Sequence, residues 1–276
     1  MVFDLVELFK TVIIGIIEGV TEWLPVSSTG HMLLFDAFVP LEMTESFKEM
    51  FFVVIQLGAI LAVVAMFWSR MFPFALSNKK LAVDKNIISM WLRVAVACVP
   101  SAVLGFLLDD WFEANFGSPL TVAAMLIIYG IAFIVIEKKN RDTPPKIFTL
   151  AGINMKTALI IGLFQVLSMI PGTSRSGATI IGALLMGVSR TAAAEFTFFL
   201  AVPTMLGASA LKIMKFGFAF SEAELLTLVI GMAVAFAVSM LSIKFLMDYV
   251  RRHDFSAFGI YRIILGIAVV VIFYFK

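Results

Sequence analysis

Glu18 and Glu22 stand four residues apart in an otherwise apolar stretch that runs from Ile13 to Leu24. On a helix this spacing puts both carboxylates on one face, about one turn apart. Two anions so placed repel each other, and an ionised carboxylate in the middle of a spanning segment costs on the order of 2.5–3.5 kcal/mol even on lenient insertion scales. The pair therefore calls for protonation or for a compensating cation. A divalent ion, Mg²⁺ or Ca²⁺, suits two hard oxygen ligands and also binds phosphate oxygens. The plainer alternative is a solvated pair on an interfacial helix. Pro25 follows, and then Ser27-Ser28-Thr29-Gly30-His31. Hydroxyl clusters after proline often do no more than cap a helix. This cluster, however, lies between two acids and a histidine able to act as general acid, base or nucleophile near neutral pH. For His31 the alternative is a buried imidazole with its hydrogen bonds satisfied.

A second polar segment, Pro171-Gly172-Thr173-Ser174-Arg175-Ser176-Gly177-Ala178-Thr179, interrupts the apolar sequence in the other half. Arg175 stays charged and so needs an anion. The flanking glycines let backbone N–H groups approach a ligand, the hydroxyls of Ser174, Ser176 and Thr179 can donate further bonds, and the next helix begins here with its positive dipole end. Together these favour phosphate. Arg175 could instead pair with a Glu of the first segment, and both readings hold if it pairs with Glu22 only while the site is empty. Gln56 reads as a structural hydrogen-bonder, His253 as an interfacial residue in a charged loop, and Cys98, the only cysteine, as a small buried hydrophobe that can form no internal disulfide.

The elements that must position these residues are membrane helices. Of 276 residues, 61% are hydrophobic and 14% charged, and the mean hydropathy is +1.03, which is too apolar for a soluble domain and describes a polytopic membrane protein. A net charge of +2 without a continuous basic patch argues against nucleic acid as a partner. Asp4 and Glu7 precede the first apolar stretch and no small-residue cleavage site follows, so a removed signal peptide is not expected. Six segments are long enough to span: roughly 50–68, 89–108, 119–136, 196–216, 225–246 and 257–275. The two polar segments, in 5–39 and 157–188, are each two short apolar pieces joined through Pro, Gly and hydroxyls, which predicts helical hairpins that enter the bilayer and return, under cover of protein or a water-filled cavity.

The expected fold is thus all-α: six transmembrane helices plus two re-entrant hairpins, with repeats 1–138 and 147–276 joined by a polar linker, 139–146. A hairpin crosses nothing and three spans cross three times, so the repeats are inverted, as in membrane sites built from broken helices. Glu49-Met50-Phe51-Phe52 and Glu195-Phe196-Thr197-Phe198-Phe199 extend the correspondence more weakly. The side bearing loops 69–88, 137–156, 189–195 and 247–256 collects thirteen Lys and Arg against four (Lys48, Lys212, Lys215, Lys276) on the other, so it is cytoplasmic and both termini face outward.

These residues resemble the integral-membrane undecaprenyl-pyrophosphate phosphatase family of the bacitracin-resistance type. Glu18-Gly-Val-Thr-Glu22 matches its acidic motif, Leu24-Pro-Val-Ser-Ser-Thr-Gly-His31 the segment that follows, and Pro171-Gly-Thr-Ser-Arg-Ser-Gly-Ala-Thr179 its second motif. Val54-Ile-Gln-Leu-Gly-Ala-Ile-Leu-Ala-Val63, Met186-Gly-Val-Ser-Arg190 and Ile260-Tyr-Arg262 extend the likeness over almost the entire chain. The resemblance implies removal of the terminal phosphate of undecaprenyl pyrophosphate in the bacterial plasma (inner) membrane, with the site open to the outer, periplasmic side. On the same resemblance, this reaction is expected to recycle the lipid carrier for cell-wall synthesis and to give bacitracin resistance. Glu22, Ser28, His31 and Arg175 are then the catalytic candidates, Glu18 and Glu22 the metal ligands, and Ser27, Thr29, Ser174, Ser176 and Thr179 substrate-binding. Ser28 activated by His31 or Glu22, His31 itself, and an activated water all stay open as nucleophile. The alternative function is a lipid flippase or anion transporter, and a homodimer is compatible with either.

Overall fold

The computed structural model describes residues 5–77 and 80–275; Asp4, Lys79 and Lys276, used above, lie outside them. The chain runs α1 (Leu5–Thr21), α2 (Ser28–Phe38), α3 (Glu45–Val54), α4 (Gln56–Met71), β1 (Phe74–Ser77), β2 (Lys80–Val83), α5 (Lys85–Phe116), α6 (Pro119–Asn140), α7 (Met155–Val166), α8 (Arg175–Leu185), α9 (Arg190–Phe216), α10 (Glu222–Val250) and α11 (Ser256–Phe275). Among the described residues six helical segments are long and apolar enough to cross a membrane: Glu45–Met71, Lys85–Phe112, Pro119–Asn140, Arg190–Phe216, Glu222–Val250 and Ser256–Phe275. Each coincides with an expected span and extends it at polar ends. Three of the N-terminal extensions begin at caps that hydropathy does not register: Thr44 and Ser189 accept from the backbone N–H of Phe47 and Ala192, and Ser221 closes a capping box with Glu224. The short antiparallel β1–β2 ribbon, with Phe74 opposite Val83, falls where only a loop was expected.

One helix–turn–helix unit precedes the three spans of each half, α1–α2 in the first and α7–α8 in the second. α1, at 17 residues, reaches about 25 Å, and α2 and α8, at 11 residues each, about 16 Å, short of the roughly 30 Å hydrocarbon core. Each unit packs on the other half of the chain. α1 lies along α10, α7 lies along α5, and α6 and α11 pack on each other. The close approach depends on Gly15 and Gly162. A Cβ on Gly15 would come 2.9 Å from the Gly231 carbonyl of α10, and one on Gly162 would collide with the Ala97 carbonyl of α5.

Ion pairs and loop contacts tie the two ends of the helices. At the Lys/Arg-rich end, Glu137 accepts from Arg190 (Nε 3.0 Å, Nη2 2.5 Å) and from the backbone N–H of Phe255 (3.1 Å), while the 146–147 backbone bonds to Gly187. At the opposite end Lys215 bridges Asp109 and Asp110 (2.9 and 2.6 Å). The weaker correspondence of Glu49 with Glu195 does not extend to their surroundings: Glu49 is exposed, whereas Glu195 is buried against Arg70.

Candidate active site

Each helix–turn–helix turns on a serine in left-handed backbone, Ser27 at φ 73° and Ser174 at φ 69°, the only non-glycine residues with positive φ among those described. Such backbone costs on the order of 1–2 kcal/mol and persists only where the surroundings over-determine it. Both serines cap the helix that follows, accepting from Gly30 N–H (3.4 Å) and Gly177 N–H (3.2 Å). They are 147 residues apart, as are Gly15 and Gly162, Glu18 and Gln165, and Gly30 and Gly177. The two tips are therefore in register, and Ser28 corresponds to Arg175.

Glu22 joins the tips. Its Oε1 accepts from Arg175 Nη2 and its Oε2 from Ser28 Oγ, both at 3.1 Å. Arg175 Nη1 donates to the Thr197 carbonyl of α9 (3.0 Å), and the guanidinium lies 5.9 Å from the Trp23 ring. The side chains of Glu22 and Arg175 are only 7% and 10% exposed, so the pair is buried and not a solvated surface pair. A carboxylate holding a serine hydroxyl on one oxygen and a guanidinium on the other can take the serine proton while its charge stays compensated.

Glu18 is different. Both its carboxylate oxygens are buried and have no hydrogen-bond partner, and it lies within electrostatic reach of Glu22 and Arg175. Unshared carboxylate lone pairs beside a second carboxylate fit a hard cation. No group of three or more His, Cys, Asp and Glu able to hold a metal occurs among the described residues, so an ion bound to Glu18 and Glu22 would complete its shell with hydroxyl, water or phosphate oxygens.

A cavity of about 450 Å³ opens beside this constellation. It runs from Glu22, Ser28, Gln165 and Arg175 to Asp109 and Lys212, near the ends of α5 and α9, away from the Lys/Arg-rich loops. Of the residues expected to bind substrate, Thr29 and Ser174 line it; Ser27, Ser176 and Thr179 do not. Ser27 caps α2. Ser176 Oγ donates to the Glu22 carbonyl (3.1 Å), and Thr179 Oγ1 bonds Thr197 Oγ1 (2.8 Å); both are fully buried and bind parts of the protein to one another. His31 also stands off the cavity, with Nδ1 2.8 Å from the Ser27 carbonyl and Nε2 2.7 Å from Tyr261 Oη. Gln56 lines the cavity, and among the described residues its side chain makes no hydrogen bond, unlike the structural role expected of it. Cys98 is half-buried in the cavity wall, its Sγ 3.6 Å from Thr204 Oγ1. His253 is exposed and stacks on Tyr249.

Arg262 carries a role that the motifs do not reveal. Fully buried, it donates to the carbonyls of Pro25 (3.2 Å), Gly172 (2.8 Å) and Thr173 (2.9 Å), so one guanidinium from α11 holds both tips. The signal that could have found it is the one that found Arg175: an always-charged side chain in an apolar run needs partners. Its partners are backbone oxygens, which leave no mark in a sequence.

The family model of the bacitracin resistance protein BacA matches residues 11–268. An undecaprenyl-diphosphatase of Enterococcus faecalis is 66% identical over 273 residues, 99% of either chain. Those of Desulfitobacterium hafniense and Acetivibrio thermocellus are 58% identical over 270 residues (98% of this chain, 97% of the relative) and 52% identical over 269 residues (98% of each).

Proposed function

The chain belongs to the bacitracin resistance protein BacA family and so hydrolyses undecaprenyl pyrophosphate to undecaprenyl phosphate and inorganic phosphate, and we propose that Ser28, Glu22 and Arg175 perform this reaction. The observation that carries the proposal is the position of Glu22 between Ser28 Oγ and Arg175. The terminal phosphate takes the place beside Arg175, whose guanidinium and the hydroxyl of Ser174 hold its oxygens. Glu22 removes the Ser28 hydroxyl proton as Oγ attacks phosphorus. The Oγ–P bond forms, the P–O bond to the bridging oxygen breaks, and undecaprenyl phosphate leaves. Glu22 passes the serine proton to the departing undecaprenyl phosphate. The regenerated carboxylate then deprotonates water, whose oxygen attacks the phosphoserine, and as the Oγ–P bond breaks Glu22 returns the proton to Ser28 Oγ and phosphate is released. Arg175 compensates charge on the equatorial oxygens throughout. A divalent cation held by Glu18 and Glu22 would supply Lewis-acid stabilisation of that charge. The names of the relatives favour hydrolysis over the transporter reading.

The re-entrant, inverted arrangement is supported by the shared register of the two tips and by the exchange of partners between halves. An opening of the cavity on the outer face of the bacterial plasma membrane is supported by the Lys/Arg bias of the loops. A cysteine placed at Thr29 in a Cys98→Ser background should then react with an impermeant thiol reagent in intact cells; labelling only after the cytoplasmic face is opened overturns this orientation. The nucleophile is tested by acid quench of turnover with substrate labelled in the terminal phosphate. Acid-stable label should appear on Ser28 and vanish in Ser28→Ala, with kcat reduced by orders of magnitude and KM little changed. Near-normal kcat in Ser28→Ala refutes the serine route.

A further inference from the structure

Building on Ser28 as nucleophile, we propose that His31 transfers no proton and forms no bond to phosphorus: it is a positioning residue, set by Tyr261, that holds the Ser27–Ser28 turn in its strained shape. The hydrogen bonds fix its protonation. Nδ1 lies 2.8 Å from the carbonyl oxygen of Ser27, which can only accept, so Nδ1 carries a proton and donates it. In the neutral ring Nε2 is then the lone-pair nitrogen, and it lies 2.7 Å from Tyr261 Oη, whose O–H it accepts. The two rings stack with centroids 5.6 Å apart and an 8° interplanar angle. No lone pair of the imidazole faces the cavity, and the Ser28 hydroxyl is directed to Glu22 instead.

What His31 does hold is the residue next to the nucleophile. Ser27 sits at φ 73°, a conformation that needs restraint on both sides. Arg262 restrains the turn at the Pro25 carbonyl (3.2 Å) and His31 restrains it at the Ser27 carbonyl. Tyr261 and Arg262 are consecutive on α11, so a single helix turn fixes the backbone on either side of Val26 and thereby the place of Ser28 Oγ. In the second tip the residue matching His31 is Ala178, and there the functional side chain, Arg175, is held by Thr197 and Glu22. The imidazole latch thus accompanies the tip that bears the nucleophile.

The paired substitutions His31→Asn and His31→Gln decide the matter, because an Asn amide reaches the Nδ1 position and a Gln amide the Nε2 position. A positioning role predicts that His31→Asn, which can still donate to Ser27, keeps kcat within about tenfold of wild type, while His31→Gln loses about a hundredfold or more, with KM little changed in both. Equal inactivity of two folded variants, or greater activity in His31→Gln, overturns the proposal. If His31→Asn does not fold, Tyr261→Phe decides. Loss of the hydroxyl should lower kcat several-fold by loosening the latch, whereas freeing the lone pair of a true base would leave kcat unchanged or raise it. Failure of the serine route is seen separately: Ser28→Ala would keep its activity while His31→Asn still outperforms His31→Gln.

Discussion

Where the first tip has Glu18, Ser28 and His31, the second has Gln165, Arg175 and Ala178 at the same register, on the same serine-capped backbone. Their surroundings separate them as sharply as their residue types. Gln165 Nε2 donates to Ser101 Oγ (2.6 Å) and Thr204 Oγ1 (3.3 Å), so the amide is satisfied by the helices around it. Glu18 is equally buried and has no partner. A buried polar group left open within the protein is costly unless something else binds it. The first unit brings the Glu22 carboxylate and the Ser28 hydroxyl to the cavity, the second brings the Arg175 guanidinium, and Glu22 to Arg175 is the seam between them. Two units with the same serine-capped backbone thus differ in what they carry, a carboxylate in the first and a guanidinium in the second, and the two meet at 3.1 Å.

Breaking the seam should have the largest effect. Glu22→Gln keeps the shape and can still accept from Arg175, yet its NH₂ cannot accept the Ser28 proton, so kcat should fall by about 10³ or more with substrate binding largely retained. Initial rates of phosphate release measure this, and activity above a tenth of wild type would show that the acid side of the comparison is not where proton transfer occurs.

Making the first tip resemble the second is the next test. Glu18→Gln replaces an unpaired buried carboxylate by the neutral amide found at 165. Thermal stability should hold or rise by about 1 kcal/mol, while turnover falls about a hundredfold if the carboxylate holds a cation for phosphoryl transfer. Wild-type hydrolysis should also cease in chelator and return with Mg²⁺ or Ca²⁺. Full chelator-sensitive activity in Glu18→Gln would remove Glu18 from the metal site. On the cation side, Arg175→Lys keeps the charge but cannot span Glu22 and the Thr197 carbonyl with two nitrogens, and kcat/KM should fall by about 10–100-fold.

Much of this was legible in the residues because it follows from cost. Twenty apolar residues must span, two shorter pieces around Pro25 or Pro171 cannot, and a buried arginine and glutamate must find each other, as Arg175 and Glu22 do at 3.1 Å. What stayed hidden depends on partners far along the chain. His31 is held by Tyr261, 230 residues away, and nothing near His31 distinguishes a latched imidazole from a base. Ser176 and Thr179 sit in a phosphate-like motif and spend their hydroxyls on the Glu22 carbonyl and Thr197. Gln56 lines the cavity, a placement that its apolar neighbours in sequence do not reveal.

The smallest expected effect is also the cleanest probe of the shared backbone. Ser27→Gly and Ser174→Gly each lose a cap, worth only a few tenths of a kcal/mol between serine and glycine, and each relieves a left-handed serine, worth about 1 kcal/mol. Both variants should therefore be within about 1 kcal/mol of wild type in thermal unfolding, on the stable side if anywhere. Their activities should differ. Relaxing residue 27 frees the backbone that aims Ser28 Oγ at Glu22, so Ser27→Gly should lower kcat several-fold with KM unchanged. Relaxing residue 174 frees the residue before Arg175 and removes a cavity hydroxyl, while Glu22 and Thr197 still hold the guanidinium, so Ser174→Gly should act mainly on KM. Matching kinetic losses in the two variants would mean that the tips share their chemistry as well as their backbone, and the division of labour drawn here between acid tip and cation tip would fail.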